Sequence, residues 1–103
     1  MSEIVRGTTP TIRYTFSTVD PADISKAVLT IAQRGTARIT KTLAAATVGE
    51  GTLSWTLTQA ETLSLSKTDA EINLDWLLES GIRGAGVTLD VKVLNPGVNE
   101  VMT

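Results

Sequence analysis

Residues 53–78 read LSWTLTQAETLSLSKTDAEINLDWLL, and this stretch decides the fold. Leu53, Trp55 and Leu57 alternate with Ser54 and Thr56, the period of a half-buried strand. Thr58-Gln59-Ala60-Glu61 then has the form of a capping box: the threonine hydroxyl accepts from the glutamate amide, and the glutamate carboxylate reaches back to the threonine amide. A short helix through about Leu65 is predicted. Beyond it, Ala70, Ile72, Leu74, Trp76 and Leu78 fall on one face of an extended segment. Asp69, Glu71, Asn73, Asp75 and Glu79 fall on the other, and only Leu77 breaks that polar face. A strand, a helical turn and a long strand are therefore set in order, and the rest of the chain must pack on them.

Working outward, Glu3 to Arg6 reads as a short edge strand ending at Gly7, and Pro10 breaks the chain before the next strand. Ile12, Tyr14 and Phe16 share one face of that strand. Asp20-Pro21-Ala22-Asp23 predicts a helical turn with Asp20 as its N-cap. Lys26 to Gln33 is a strand whose apolar residues fall on both faces, which suggests a central position. Arg34-Gly35-Thr36 turns the chain into a strand from Ala37 to Leu43. Ala44 to Gly51 is read as a loop. After a two-residue turn at Ser80-Gly81, a single long strand from Ile82 to Asn95 is expected, with Val87, Leu89, Val91 and Val93 on one face. The tight turn sets Leu74 opposite Val87 and Trp76 opposite Ala85; a longer loop would set Leu74 opposite Val91. The expected core is Ile12, Tyr14, Phe16, Leu29, Ile31, Leu53, Trp55, Leu57, Leu63, Ile72, Leu74, Trp76, Leu89, Val91 and Val93.

About seven strands at short spacing, with one or two helical turns, predict an all-β, immunoglobulin-like antiparallel sandwich; a closed barrel is the alternative. The 103 residues give a single domain, 1–103. A chain of this size buries roughly 65% of its unfolded surface, enough for one core. With no cysteine and no histidine, disulfides, thiolate chemistry and the usual zinc ligands are excluded. The net charge of −2 is scattered and offers no stripe for nucleic acid and no polybasic membrane patch. MSEIVRGTTP lacks the apolar segment of a secretory signal, and no apolar run approaches the ~20 residues of a membrane span.

Several residues invite a chemical reading. Asp69, Glu71 and Asp75 suggest a weak cation site, but strand neighbours two apart lie about 6.5–7 Å from each other and no calcium-loop pattern follows, so a solvated face is expected. Trp55 and Trp76 are sugar-stacking candidates, as are Tyr14 and Phe16; their alternation places them in the core instead. Gly81, Gly84 and Gly86 imitate a phosphate loop but lack its lysine and helix, so a hairpin with close backbone approach is expected. Ser25-Lys26 and Ser66-Lys67 are adjacent pairs without the geometry of a nucleophile and its base. Gln33 and Gln59, if buried, need backbone partners for their amides. No catalytic, cofactor-binding or metal-binding residue is assigned, and no enzyme activity or cofactor is expected.

Some short features carry a resemblance. Arg6-Gly7-Thr8-Thr9-Pro10-Thr11-Ile12, the strand ending in Gln33, the segment Leu57-Thr58-Gln59-Ala60-Glu61-Thr62, and the closing Leu94 with Gly97-Val98 resemble the N-terminal domain of phage baseplate upper proteins. The similarity runs the length of the chain on structural motifs. The family's glutamine in the penultimate strand is not evident, Asn73 or Asp75 standing near its expected place, and with the sequence ending at Thr103 the further domains that reach a receptor-binding protein are not expected. The resemblance implies an immunoglobulin-like sandwich and a structural component of a virion tail or baseplate, made in the bacterial host cytoplasm. Its partners would be copies of itself or other tail proteins, with no nucleic acid, membrane or small-molecule ligand. Ile4, Val5, Val98, Val101 and Met102, outside the expected core, are the expected contact residues. The competing reading is a stand-alone carbohydrate-binding sandwich; exposed aromatics in a groove favour it, whereas buried tryptophans and exposed apolar strand edges favour assembly.

Overall fold

The computed structural model describes residues 2–86, 88–97 and 100–102. Among these, the strands are β1 (Ser2–Val5), β2 (Thr11–Thr15), β3 (Ile24–Gln33), β4 (Thr36–Thr42), β5 (Thr47–Gly49), β6 (Thr52–Thr56), β7 (Asp69–Leu78), β8 (Arg83–Ala85) and β9 (Leu89–Leu94). One short helix, α1 (Gln59–Leu63), and two 3₁₀ turns, Pro21–Asp23 and Leu43–Ala45, join them. One sheet runs β1-β9-β7-β3-β4 with β8 on β7; the other runs β2-β6-β5. The chain changes sheet between β1 and β2, between β2 and β3, between β4 and β5, and between β6 and β7. That succession is the Greek key of the immunoglobulin fold, with β2, β6 and β5 in the places of its B, E and D strands and β3, β7 and β9 in those of C, F and G. The all-β sandwich expected from the alternation is therefore present. One ladder departs from the antiparallel expectation: β1 runs parallel to β9, with Ile4 beside Val93.

That pairing corrects the reading of the N-terminus. Ile4, expected outside the core, is 5% exposed, because its neighbour Val93 points inward and carries Ile4 with it. Ile24, Ala27, Ile39, Leu65 and Ala70 also belong to the core without having been expected there. The blurred alternation of β3 has a cause: Ile24 faces Leu78 but Lys26 faces Leu77, so a bulge at Ser25 lets Ile24 and Ala27 both point inward. As expected, β3 is central, paired with β4 and β7. In the other direction, Leu89 is 46% exposed, since it opens β9 at the rim of the sandwich. Ile12, Tyr14, Leu63 and Trp76 are half-buried against the core. The loop expected over Ala44 to Gly51 instead contains the edge strand β5, turning through Glu50-Gly51 into β6.

The capping box forms as read. Thr58 Oγ1 accepts from the Glu61 amide at 3.1 Å, and the Glu61 carboxylate accepts from the Thr58 amide at 2.8 Å. α1 ends earlier than expected, at Leu63, and the chain then crosses to β7 through an irregular segment whose backbone must find partners elsewhere. Gln33, at the end of β3 and 2% exposed, supplies them: its Nε2 donates to Ser66 O at 2.7 Å, and its Oε1 accepts from Ser66 N–H at 2.9 Å. Thr62, fully buried, accepts from Gly7 N–H at 2.9 Å and donates to Thr8 O at 2.8 Å. Arg6 Nη2 donates to Leu63 O at 2.9 Å. The β6–β7 crossing is thus fastened to the end of β3 by the Gln33 side chain, and to the β1–β2 loop by the Thr62 side chain together with the Leu57 N–H, which donates to Pro10 O.

The β7–β8 hairpin corrects the expected register. Trp76 faces Gly84, not Ala85, because the loop is Glu79-Ser80-Gly81, with Leu78 N–H donating to Ile82 O and Gly81 at φ +89°. Val87, expected opposite Leu74, lies outside the described residues, and Val91 faces Ala70. Side-chain size explains the choice. A Cβ on Gly84 would sit 2.4 Å from Trp76 Cε2, and one on Gly86 would sit 2.8 Å from Tyr14 Cε2, so the rings occupy the space that side chains would need. Tyr14, Phe16 and Trp76 form one cluster, with Phe16 and Trp76 edge to face at 5.0 Å. The last strand is also broken. From Asp75 back to Ile72 is three positions, from Ala85 on to Leu89 is four, so one extra residue separates β8 from β9.

Two substitutions check this account by urea unfolding. Gly84→Ala forces the new methyl against the Trp76 ring and should destabilise by about 1–3 kcal/mol; unchanged stability would mean the ring does not cover Gly84. Gln33→Leu fills the same volume but strands the Ser66 N–H and C=O, and should cost about 1–3 kcal/mol; a neutral result would show that the crossing does not depend on the amide.

Candidate functional site

A two-sheet sandwich leaves four edges, and each exposes backbone groups that a foreign strand can pair with. Here they are β1, β4, β2 and β5, with the three-residue β8, paired to β7 alone, as a further short edge. Three carry protecting features. β1 has four residues and β5 three, too short to template much pairing. β4 is longer, but Lys41 lies half-buried beside Glu61 in an ion pair, an inward charge that a docking strand would have to cover. β2 has no such protection. It is five residues long, unbulged against β6, with Ile12 and Tyr14 on its inner side.

The ladder shows which groups of β2 are open. Leu57 N–H donates to Pro10 O at 2.9 Å and Phe16 N–H to Gly51 O at 2.8 Å. With the register Ile12↔Trp55 and Tyr14↔Leu53, residues 10, 12, 14 and 16 therefore bond toward β6. The backbone N–H and C=O of Thr11, Arg13 and Thr15 point the other way, to the free edge. Beside that edge the sandwich gapes. A slot of about 210 Å³ lies between β2 and the β1–β9 pair, lined by Ile4, Ile12, Ile72, Leu89 and Val91, with exposed Glu3 and Arg13 also in its lining. Open backbone beside an apolar slot is the kind of edge that strand addition uses.

The residues singled out in the sequence are dispersed. Asp69 and Glu71 are exposed, and Asp75 is half-buried and bonded to Arg83. Asp69 faces Lys92 across the sheet, while Glu71 faces Asp90. Asp69, Glu71 and Asp90 border a depression of about 360 Å³ with Arg34, but among the described residues no group of three or more carboxylates is placed to hold a metal ion. Trp55 is buried and its Nε1 donates to Thr42 O at 2.9 Å. Trp76 borders a groove of about 300 Å³ with Lys26, Val28, Leu77 and Arg83, but its ring already meets Gly84, Phe16 and Tyr14. Ser25 donates to Leu77 O, and Ser66 is held by Gln33. Gly81, Gly84 and Gly86 serve the hairpin. Gln59 makes the backbone clasp its amide needs: Nε2 donates to Met102 O at 3.0 Å, and Oε1 accepts from Met102 N–H at 2.7 Å. That clasp holds the tail against α1 with Val101 and Met102 exposed; Val98 lies outside the described residues. Among the described residues no helix is long and apolar enough to cross a membrane.

Neither the open edge nor the slot was read from sequence. Ile12 and Leu89, both expected in the core, instead line the slot with part of their surface exposed. Burial raises the Glu61 carboxyl pKa, but Lys41 and the two Thr58 contacts outweigh it and hold the group below its ordinary range. A carboxyl with a lowered folded pKa adds stability above its unfolded value and loses it as pH falls through the folded one. Stability should therefore decline on acidification below about pH 4.3, and Glu61→Gln should weaken the neutral-pH protein while flattening that decline. Parallel pH profiles for the two proteins, by urea midpoint, would contradict the assignment. Comparison with known protein families, curated proteins and solved structures finds no match to this chain.

Proposed function

We propose that this chain is a non-catalytic assembly module of a phage virion, in the tail or baseplate. The observation that carries the reading is the placement of its exposed apolar side chains. Val48 stands on the edge strand β5, Ile82 at the β7–β8 hairpin, Leu89 beside the open edge of β2, and Val101 and Met102 on the tail, where Met102 is 68% exposed. An isolated domain gains little from apolar groups at its edges and ends, whereas an assembled one buries them. The virion assignment rests on the resemblance in the sequence, and the partners it implies are other copies of the chain or other tail proteins. Ile4 is withdrawn from the contact surface, since it is core.

A carbohydrate-binding role is the second reading, favoured by the groove beside Trp76 with Lys26, Asp75 and Arg83 on its walls. It is the weaker, because sugar stacking needs a free ring face and Gly84 lies against this one. Sedimentation of the full chain over a concentration series, alone and mixed with phage tail proteins, separates the two. Assembly predicts a defined complex with itself or with a tail protein, weakened when residues 98–103 are deleted. A chain that stays monomeric throughout, joins no tail protein and binds an immobilised glycan array would favour carbohydrate binding.

A further inference from the structure

The free edge of β2 differs from the other edges in combining three things: open backbone at Thr11, Arg13 and Thr15, an adjoining apolar slot, and no inward charge. We propose that this edge takes an extended strand of a partner protein, whose inward side chains are aliphatic and whose outward face sets a carboxylate opposite Arg13. The inference rests on the assembly reading and names its site and the chemistry of its partner.

Backbone geometry sets the mode. An added antiparallel strand bonds to the N–H and C=O of Thr11, Arg13 and Thr15 and continues the three-stranded sheet outward. Its side chains alternate. One set turns into the slot against Ile12, Ile72 and Leu89, removing the exposure of Leu89. The other set turns outward beside Thr11, Arg13 and Thr15, all exposed.

Charge decides the occupant. A second copy pairing β2 with β2 about a two-fold axis gains most when all five residues overlap, Thr11 against Thr15 and Arg13 against Arg13. That register sets two guanidinium groups directly across from each other, which is destabilising on a sheet. Sliding the register to avoid it shortens the ladder. A strand carrying aspartate or glutamate at the central outward position meets the same edge with full overlap and an opposite charge.

The test uses the full chain and a capped seven-residue peptide, Val-Thr-Val-Glu-Val-Thr-Val, with a lysine version in which the glutamate is replaced. Binding is followed by amide chemical shifts and hydrogen exchange. The glutamate peptide should slow exchange at Thr11, Arg13 and Thr15 and bind about tenfold more tightly than the lysine peptide. Arg13→Glu, at an exposed position, should keep the folded spectrum and reverse the order of the two peptides. The proposal is overturned if neither peptide protects these amides, if both bind alike and Arg13→Glu changes nothing, or if concentrating the chain alone protects the edge, which would make a second copy the occupant. Failure here is separable from failure of the assembly reading: a chain that enters a tail complex with these three amides still exchanging freely refutes this site alone.

Discussion

A backbone amide or carbonyl taken out of water must find a partner, and the architecture follows from where this chain finds its partners and where it does not. Inside the sheets the ladders suffice. At the β6–β7 crossing they do not, because α1 ends at Leu63 and β7 begins at Asp69. Three side chains close the gap: Gln33 from β3, Thr62 from the helix and Arg6 from the end of β1. Each joins segments distant in sequence and ties the crossing to the rest of the fold. With Gln33 bound at Ser66, β7 begins where Ile72 and Leu74 meet Ile31 and Leu29 across the ladder. The aromatic cluster then covers the other end of the same strand.

The features legible in the sequence are those decided by neighbours a few residues apart. The Thr58–Glu61 capping box and the Asp20 cap depend on local spacing and form as read, and the alternation of β7 holds from Asp69 to Leu74. The Arg34-Gly35 turn is local too, with both residues at positive φ as a two-residue hairpin requires. What failed was decided across the fold. The one-residue register difference at Trp76 comes from the space its ring needs over Gly84, which no hairpin rule contains. The bulge at Ser25 is invisible because its purpose is to bring Ile24 into a core formed by other strands. β5 is three residues long, too short to show a period. Ile4 looks like an exposed terminus until β9 is known to lie beside it.

The candidate site belongs to the second kind. The strand Thr11–Thr15 was evident, and so was its apolar face. That it lies at an edge, beside a gap between the sheets, follows from the order β2-β6-β5 and from β1 joining β9 instead of β2. In an immunoglobulin-like sandwich a first strand can cover that flank; here the first strand serves the opposite sheet and the flank stays open. The functional proposal therefore rests on one structural asymmetry: the crossing satisfies its backbone groups internally, while the β2 edge leaves its own to solvent or to a partner.

Hydrogen exchange on the isolated chain at low concentration tests that asymmetry in one experiment. The account predicts slow exchange at Ser66, bound to Gln33, and an alternation along β2: Ile12, Tyr14 and Phe16 protected, Thr11, Arg13 and Thr15 fast. Uniform protection along β2, together with fast exchange at Ser66, would contradict it.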